Sequence, residues 1–65
     1  MKLTINGEPR DSDAATLAAL LEAEGLATAR VATALNGQFV AAALRAQTAL
    51  TPGDAVEIVA PMQGG

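Results

Sequence analysis

Leu3 and Ile5 alternate with Lys2, Thr4 and Asn6, the two-residue period of a half-buried strand. Asn6-Gly7 follows, a pair suited to a type I′ hairpin turn, whose two central residues both need positive φ. A second strand is predicted from Glu8 to about Asp11, at a sheet edge because Pro9 has no N–H to give a ladder. The period then lengthens. Ser12 or Asp13 offers an N-cap, and Asp13 also suits the positive end of a helix dipole. Ala14 to about Glu24 reads as a helix with Leu17, Leu20 and Leu21 on one face. Gly25 stands where a left-handed residue would stop it, and Leu26 can fold back onto the helix end.

The second half returns to the shorter period. Val31 to Leu35 reads as a third strand, Asn36-Gly37 as a second hairpin turn, and Phe39-Val40 as the start of a short fourth strand. The alanine-rich stretch from Ala41 to Ala46 predicts a short helical turn or an irregular link. Thr51-Pro52-Gly53-Asp54 is a turn by composition. Val56 and Ile58 alternate with Glu57 and Val59 as a last strand, which Pro61 closes because proline cannot continue a ladder. Leu3, Ile5, Leu17, Leu20, Leu21, Val56 and Ile58 are the expected core.

Strand, strand, helix, strand, short strand, strand predicts an α+β fold of the β-grasp, ubiquitin-like kind. Four to five strands form a mixed sheet around one main helix, with the first and last strands parallel neighbours at its centre. A ferredoxin-like packing would need a second full helix, for which Ala41 to Ala46 is too short. The expected organisation is one domain over residues 1–60 and a flexible, extended tail over 61–65, Pro61-Met62-Gln63-Gly64-Gly65.

Composition narrows the chemistry. With 65 residues and no cysteine or histidine, the chain lacks the side chains behind most nucleophilic, zinc and near-neutral acid–base catalysis. An enzyme is therefore not expected, nor is a bound metal or cofactor. The net charge is −3, and the four basic residues, Lys2, Arg10, Arg30 and Arg45, are scattered. Nucleic-acid binding needs them clustered, so a partner with a basic or apolar face fits better. No apolar run approaches the ~20 residues that span a bilayer, and the first residues lack a signal-peptide core. A cytoplasmic location is expected.

Gly64-Gly65 offers only one reactive group, the carboxylate of Gly65. Lacking Cβ atoms, the pair can thread a narrow partner channel. The opening strand with Asn6-Gly7, the stretch from Val31 to Val40, Pro52-Gly53-Asp54-Ala55-Val56-Glu57-Ile58-Val59, and Pro61-Met62-Gln63-Gly64-Gly65 together resemble the ThiS family, the sulfur carriers of thiamine biosynthesis. The resemblance covers nearly the whole chain. One departure stands out: where the family usually carries a Pro and a basic residue after the fourth strand, this chain has Ala41-Ala42-Ala43-Leu44-Arg45. Arg45 is the candidate to supply that charge from a shifted position.

The resemblance implies that an E1-like adenylyltransferase, using ATP and magnesium, adenylates the Gly65 carboxylate. Sulfur from a persulfide donor enzyme then gives a thiocarboxylate, which thiazole synthase consumes. On this reading Gly64 and Gly65 enter the partner's site, and the protein's work is presentation. Val59, Pro61, Met62 and Gln63 are candidates for the partner surface, because Val59 points outward if Val56 and Ile58 point inward. Phe39 is either a neighbour of that patch or, as the only aromatic residue, the largest residue of the core. Two alternatives share the fold: the small subunit of molybdopterin synthase or another metabolite sulfur carrier, and a ubiquitin-like modifier or adaptor.

Overall fold

Asn6 and Gly7 both take positive φ, 53° and 83°, and so do Asn36 and Gly37, 52° and 85°. Each pair reverses the chain between two strands, as its sequence predicts. The structure, a computed structural model, describes residues 1–60. The expected tail, Pro61, Met62, Gln63, Gly64 and Gly65, lies outside the described residues. The elements are β1 (Lys2–Ile5), β2 (Glu8–Asp11), α1 (Leu17–Ala23), β3 (Ala32–Leu35), β4 (Gln38–Val40), a 3-10 helix (Ala42–Gln47) and β5 (Ala55–Val59).

The five strands form one sheet in the order β2-β1-β5-β3-β4. β1 and β5 run parallel at its centre, and the remaining pairs are antiparallel. Pro9 falls on the edge strand β2, where its missing N–H costs no ladder bond. α1 covers one face, the ubiquitin-like β-grasp. The segment after β4 forms only the short 3-10 helix, so the ferredoxin-like alternative is excluded.

The helix begins later than its sequence suggests. Thr16, rather than Ser12 or Asp13, is the N-cap: its Oγ1 accepts from the Ala19 N–H at 3.2 Å. The cause is a distant partner. Leu50 N–H donates to the Ala15 carbonyl at 3.0 Å, and Leu17 N–H donates to the Thr48 carbonyl at 2.9 Å. This pairing holds residues 15–16 extended, and no acidic residue stands in the first helical turn. At the other end Gly25, with φ 76°, stops the helix as expected. Gly25 N–H donates to the Glu22 carbonyl at 3.0 Å and Leu26 N–H to the Leu21 carbonyl at 2.8 Å, the paired bonds of a Schellman cap.

Leu3, Ile5, Leu17, Leu20, Leu50 and Val56 form the core, with Leu35, Val40 and Ile58 partly buried against it. Leu21 is buried too. Leu50 is an addition, a single leucine with no periodic neighbours to announce it. Phe39 is a correction to the core reading, because it is 74% exposed. Arg45, the candidate for a partner-facing charge, also makes internal bonds: Nε donates to Thr33 Oγ1 at 3.0 Å and Nη2 to the Val31 carbonyl at 2.7 Å. Half-buried, it ties the 3-10 helix to β3. No described helix is long and apolar enough to cross a membrane.

Candidate docking face and tail root

The strand register decides what each sheet face presents. Thr33 pairs with Ile58 and Leu35 with Val56, so these four side chains share the inner face. Their neighbours in sequence must point outward. Ala32 pairs with Val59, and Ala34 stands between Glu57 of β5 and Phe39 of β4. Two small alanines thus form a floor, with Phe39 rising on one side and Glu57 and Val59 on the other.

The result is a shallow, open depression of about 550 Å³ lined by Asn6, Ala32, Ala34, Phe39, Glu57 and Val59, among others. Val59 is 57% exposed. An exposed phenyl ring and valine on one small domain form an apolar patch of the sort that marks interaction sites. Among the described residues Glu57 is the only ionisable side chain on its lining, so the depression is apolar with an acidic margin. Among the candidate partner residues, Phe39 and Val59 meet on this face. Pro61, Met62 and Gln63, like Gly64 and Gly65, lie outside the described residues.

β5 precedes residues 61–65 in sequence, and both of its ends are fastened by asparagines from the hairpin turns. At its start, Ala55 N–H donates to Asn36 Oδ1 at 2.9 Å, and Asn36 Nδ2 donates to Asp54 Oδ1 at 3.0 Å. Asp54 also accepts from the Thr51 N–H at 2.8 Å and the Thr51 hydroxyl at 3.0 Å. Donation from Asn36 first, and then from the Thr51 backbone, holds the Asp54 carboxyl below its ordinary pKa, against the opposing effect of burial. At the far end, Ile58 N–H donates to Asn6 Oδ1 at 2.8 Å and Asn6 Nδ2 returns a bond to the Ile58 carbonyl at 3.0 Å.

The sequence had marked Asn6 and Asn36 only as turn residues. Ala32, Ala34 and Glu57 had not been singled out for the docking face either. Their signal was the register: once Leu35 is inward, a two-residue turn at Asn36-Gly37 sends Ala34 and Phe39 outward together.

Strand order, parallel centre and a single helix across one face define the class: a ubiquitin-like β-grasp domain, here with an outward apolar patch on its sheet. The chain belongs to the ThiS family, whose sequence model matches residues 3–65. It is 41% identical over 61 residues to the sulfur carrier protein ThiS of Thermus thermophilus, covering 94% of this chain and 95% of that protein. The crystal structure of the thiamine biosynthesis protein (ThiS) from Geobacter metallireducens superposes with a TM-score of 0.84 at 38% identity, each chain covered in full. A protein of Paramagnetospirillum magneticum named thiazole synthase is 44% identical over 66 residues. That match takes in all of this chain, which spans only 20% of the longer relative.

Proposed function

We propose that this chain is a sulfur carrier for thiamine biosynthesis and that the sulfur rides on Gly65. Family membership over residues 3–65, the Gly-Gly pair included, is the observation that carries the reading. A carboxylate is a poor electrophile, so it must first be activated. An E1-like adenylyltransferase transfers AMP from ATP, with magnesium, to the Gly65 carboxylate and releases pyrophosphate. The terminal sulfur of an enzyme persulfide attacks that carbonyl and AMP leaves. A thiol then cleaves the resulting S–S bond and frees the thiocarboxylate. ATP, magnesium and the persulfide belong to the partners, and the carrier supplies no catalytic side chain.

Thiazole synthase is the proposed acceptor. The match of this whole chain to part of a protein bearing that name supports the pairing. Phe39, Val59 and the alanine floor between them form the proposed docking face, and Pro61, Met62 and Gln63, which follow β5 in sequence before Gly64 and Gly65, are further proposed partner contacts. The dependence on ATP assigns this work to the cytoplasm.

Intact mass spectrometry after incubation with the E1-like partner, ATP and a persulfide donor tests the reading. The expected result is a gain equal to exchanging one oxygen for sulfur, abolished by deleting Gly65. Higher-mass conjugates to other proteins would point to a modifier instead. An unchanged mass, with a partner active on another carrier, would point to an adaptor. Transfer of the sulfur to a pterin rather than a thiazole would assign the chain to molybdopterin synthesis.

A further inference from the structure

β1 ends before β5 does. The last backbone bond between them runs from the Asn6 N–H to the Val56 carbonyl at 2.8 Å, and the chain then leaves the sheet at Gly7. β3 continues alongside β5 on the other flank as far as Val59. Two residues past Val56, the Ile58 N–H and carbonyl would face the β1 side with no strand beside them. The Asn6 carboxamide takes the place of that strand, satisfying both groups across 52 residues of sequence.

The turn alone does not explain this residue. Asp and Gly serve a type I′ turn as well as Asn does. Of these three residues only Asn has both an acceptor and a donor at neutral pH, so that it can accept from one backbone N–H while donating to the carbonyl of the same residue. Asn6 also lines the docking depression, so the clamp lies where the proposed face meets the strand that precedes residues 61–65 in sequence.

We propose that Asn6 is a positioning residue for sulfur loading. By extending the ladder to Ile58 it holds the end of β5, the strand that precedes Gly65 in sequence, in one place when the sheet face is docked. The inference rests on the sulfur-carrier reading. It concerns delivery of Gly65 rather than affinity, since the substitution leaves the apolar side chains of the docking face, Phe39 and Val59, in the sequence. Asn36 provides an internal control, because its carboxamide makes a comparable clamp at the opposite end of β5.

The test compares Asn6→Gly with Asn36→Gly, both compatible with the positive φ of their turns, at a temperature where each is folded. In Asn6→Gly, exchange of the Ile58 amide hydrogen should quicken roughly tenfold, the effect of losing about one net hydrogen bond. In Asn36→Gly it should not quicken beyond what the change in global stability imposes. With the E1-like partner, kcat for thiocarboxylate formation should fall about tenfold in Asn6→Gly, with KM for the carrier nearly unchanged. Asn6→Asp, which keeps only the accepting half of the clamp, should lie between wild type and Asn6→Gly. Asn36→Gly should load at the wild-type kcat. Equal kcat losses in the two glycine variants, or a wild-type kcat in Asn6→Gly, would overturn the proposal. A wild-type chain that takes up no sulfur would instead sink the carrier reading, and Ile58 exchange would then decide the clamp on its own.

Discussion

Asn36 donates to Asp54 across 3.0 Å, and this one bond joins a hairpin turn to the first residue before the central strand. Together with the two bonds from Thr51, it favours the ionised carboxylate and lowers the Asp54 pKa from its ordinary value of 3.8. A carboxylate whose pKa is lowered by folding stabilises the fold at pH above that ordinary value. The contribution is lost as pH falls through the lowered folded value. Asp54→Asn should therefore cost about 1–3 kcal/mol at neutral pH, because its amide would face the Thr51 N–H. The difference from wild type should shrink as the pH drops below about 4. Urea denaturation of both proteins between neutral pH and pH ~2 measures it, and a constant difference across that range would contradict the assignment.

Phe39→Ala separates docking from folding. The ring is 74% exposed, so its removal should change stability by no more than about 0.5 kcal/mol. On the proposed docking face, the same change should raise KM for the carrier about tenfold, the usual scale of a moderate interface anchor. A loss of several kcal/mol in stability would mean that the ring is buried in solution.

Leu20→Ala should do the opposite. Leu20 is fully buried in the core between α1 and the sheet. Truncation there costs roughly 2–5 kcal/mol, a large share of what a domain this small can hold in reserve. Circular dichroism should show a marked fall in the thermal midpoint. Any loss of sulfur loading should follow the unfolded fraction.

Arg45→Lys should not be conservative. The guanidinium reaches Thr33 and the Val31 carbonyl with two different nitrogens, which a single ammonium cannot reproduce in the same geometry. A stability loss of about 1 kcal/mol is expected, with KM for the activating partner unchanged. A raised KM without a stability loss would restore Arg45 to the partner surface.

These residues also show where sequence reading reached and where it stopped. Leu17, Leu20 and Leu21 declared the helix face because their spacing is local information. The Asn-Gly pairs likewise declared both turns, since the φ they need is a property of two residues. The start of α1 did not follow local rules. Ser12 and Asp13 are good caps by type, but the pairing of Ala15 with Leu50 and of Thr48 with Leu17 keeps the chain extended to Thr16. Propensity lost to a contact more than thirty residues away.

The candidate site divided in the same manner. Val59 was legible as an outward residue from the alternation of β5 alone. Phe39 remained open between core and surface because aromatic residues rank among the larger buried types, and rank says nothing of register. The pairing of Ala34 with Phe39 settles it. The asparagine clamps were invisible from sequence: a turn residue reveals its backbone angles, not what its amide meets at the far end of the chain.

The sheet order carries a consequence for the timing of assembly. β5 lies between β1 and β3, so until it is inserted those two strands have no partner at the centre, and the hairpins they belong to stay separate. Contacts as distant as that of Asn6 with Ile58 form late and slowly. On the ribosome, β5 emerges after every other described element. The strand that precedes residues 61–65 is thus the one whose arrival joins the two halves, so the proposed docking face is complete only on a chain whose sheet has finished folding.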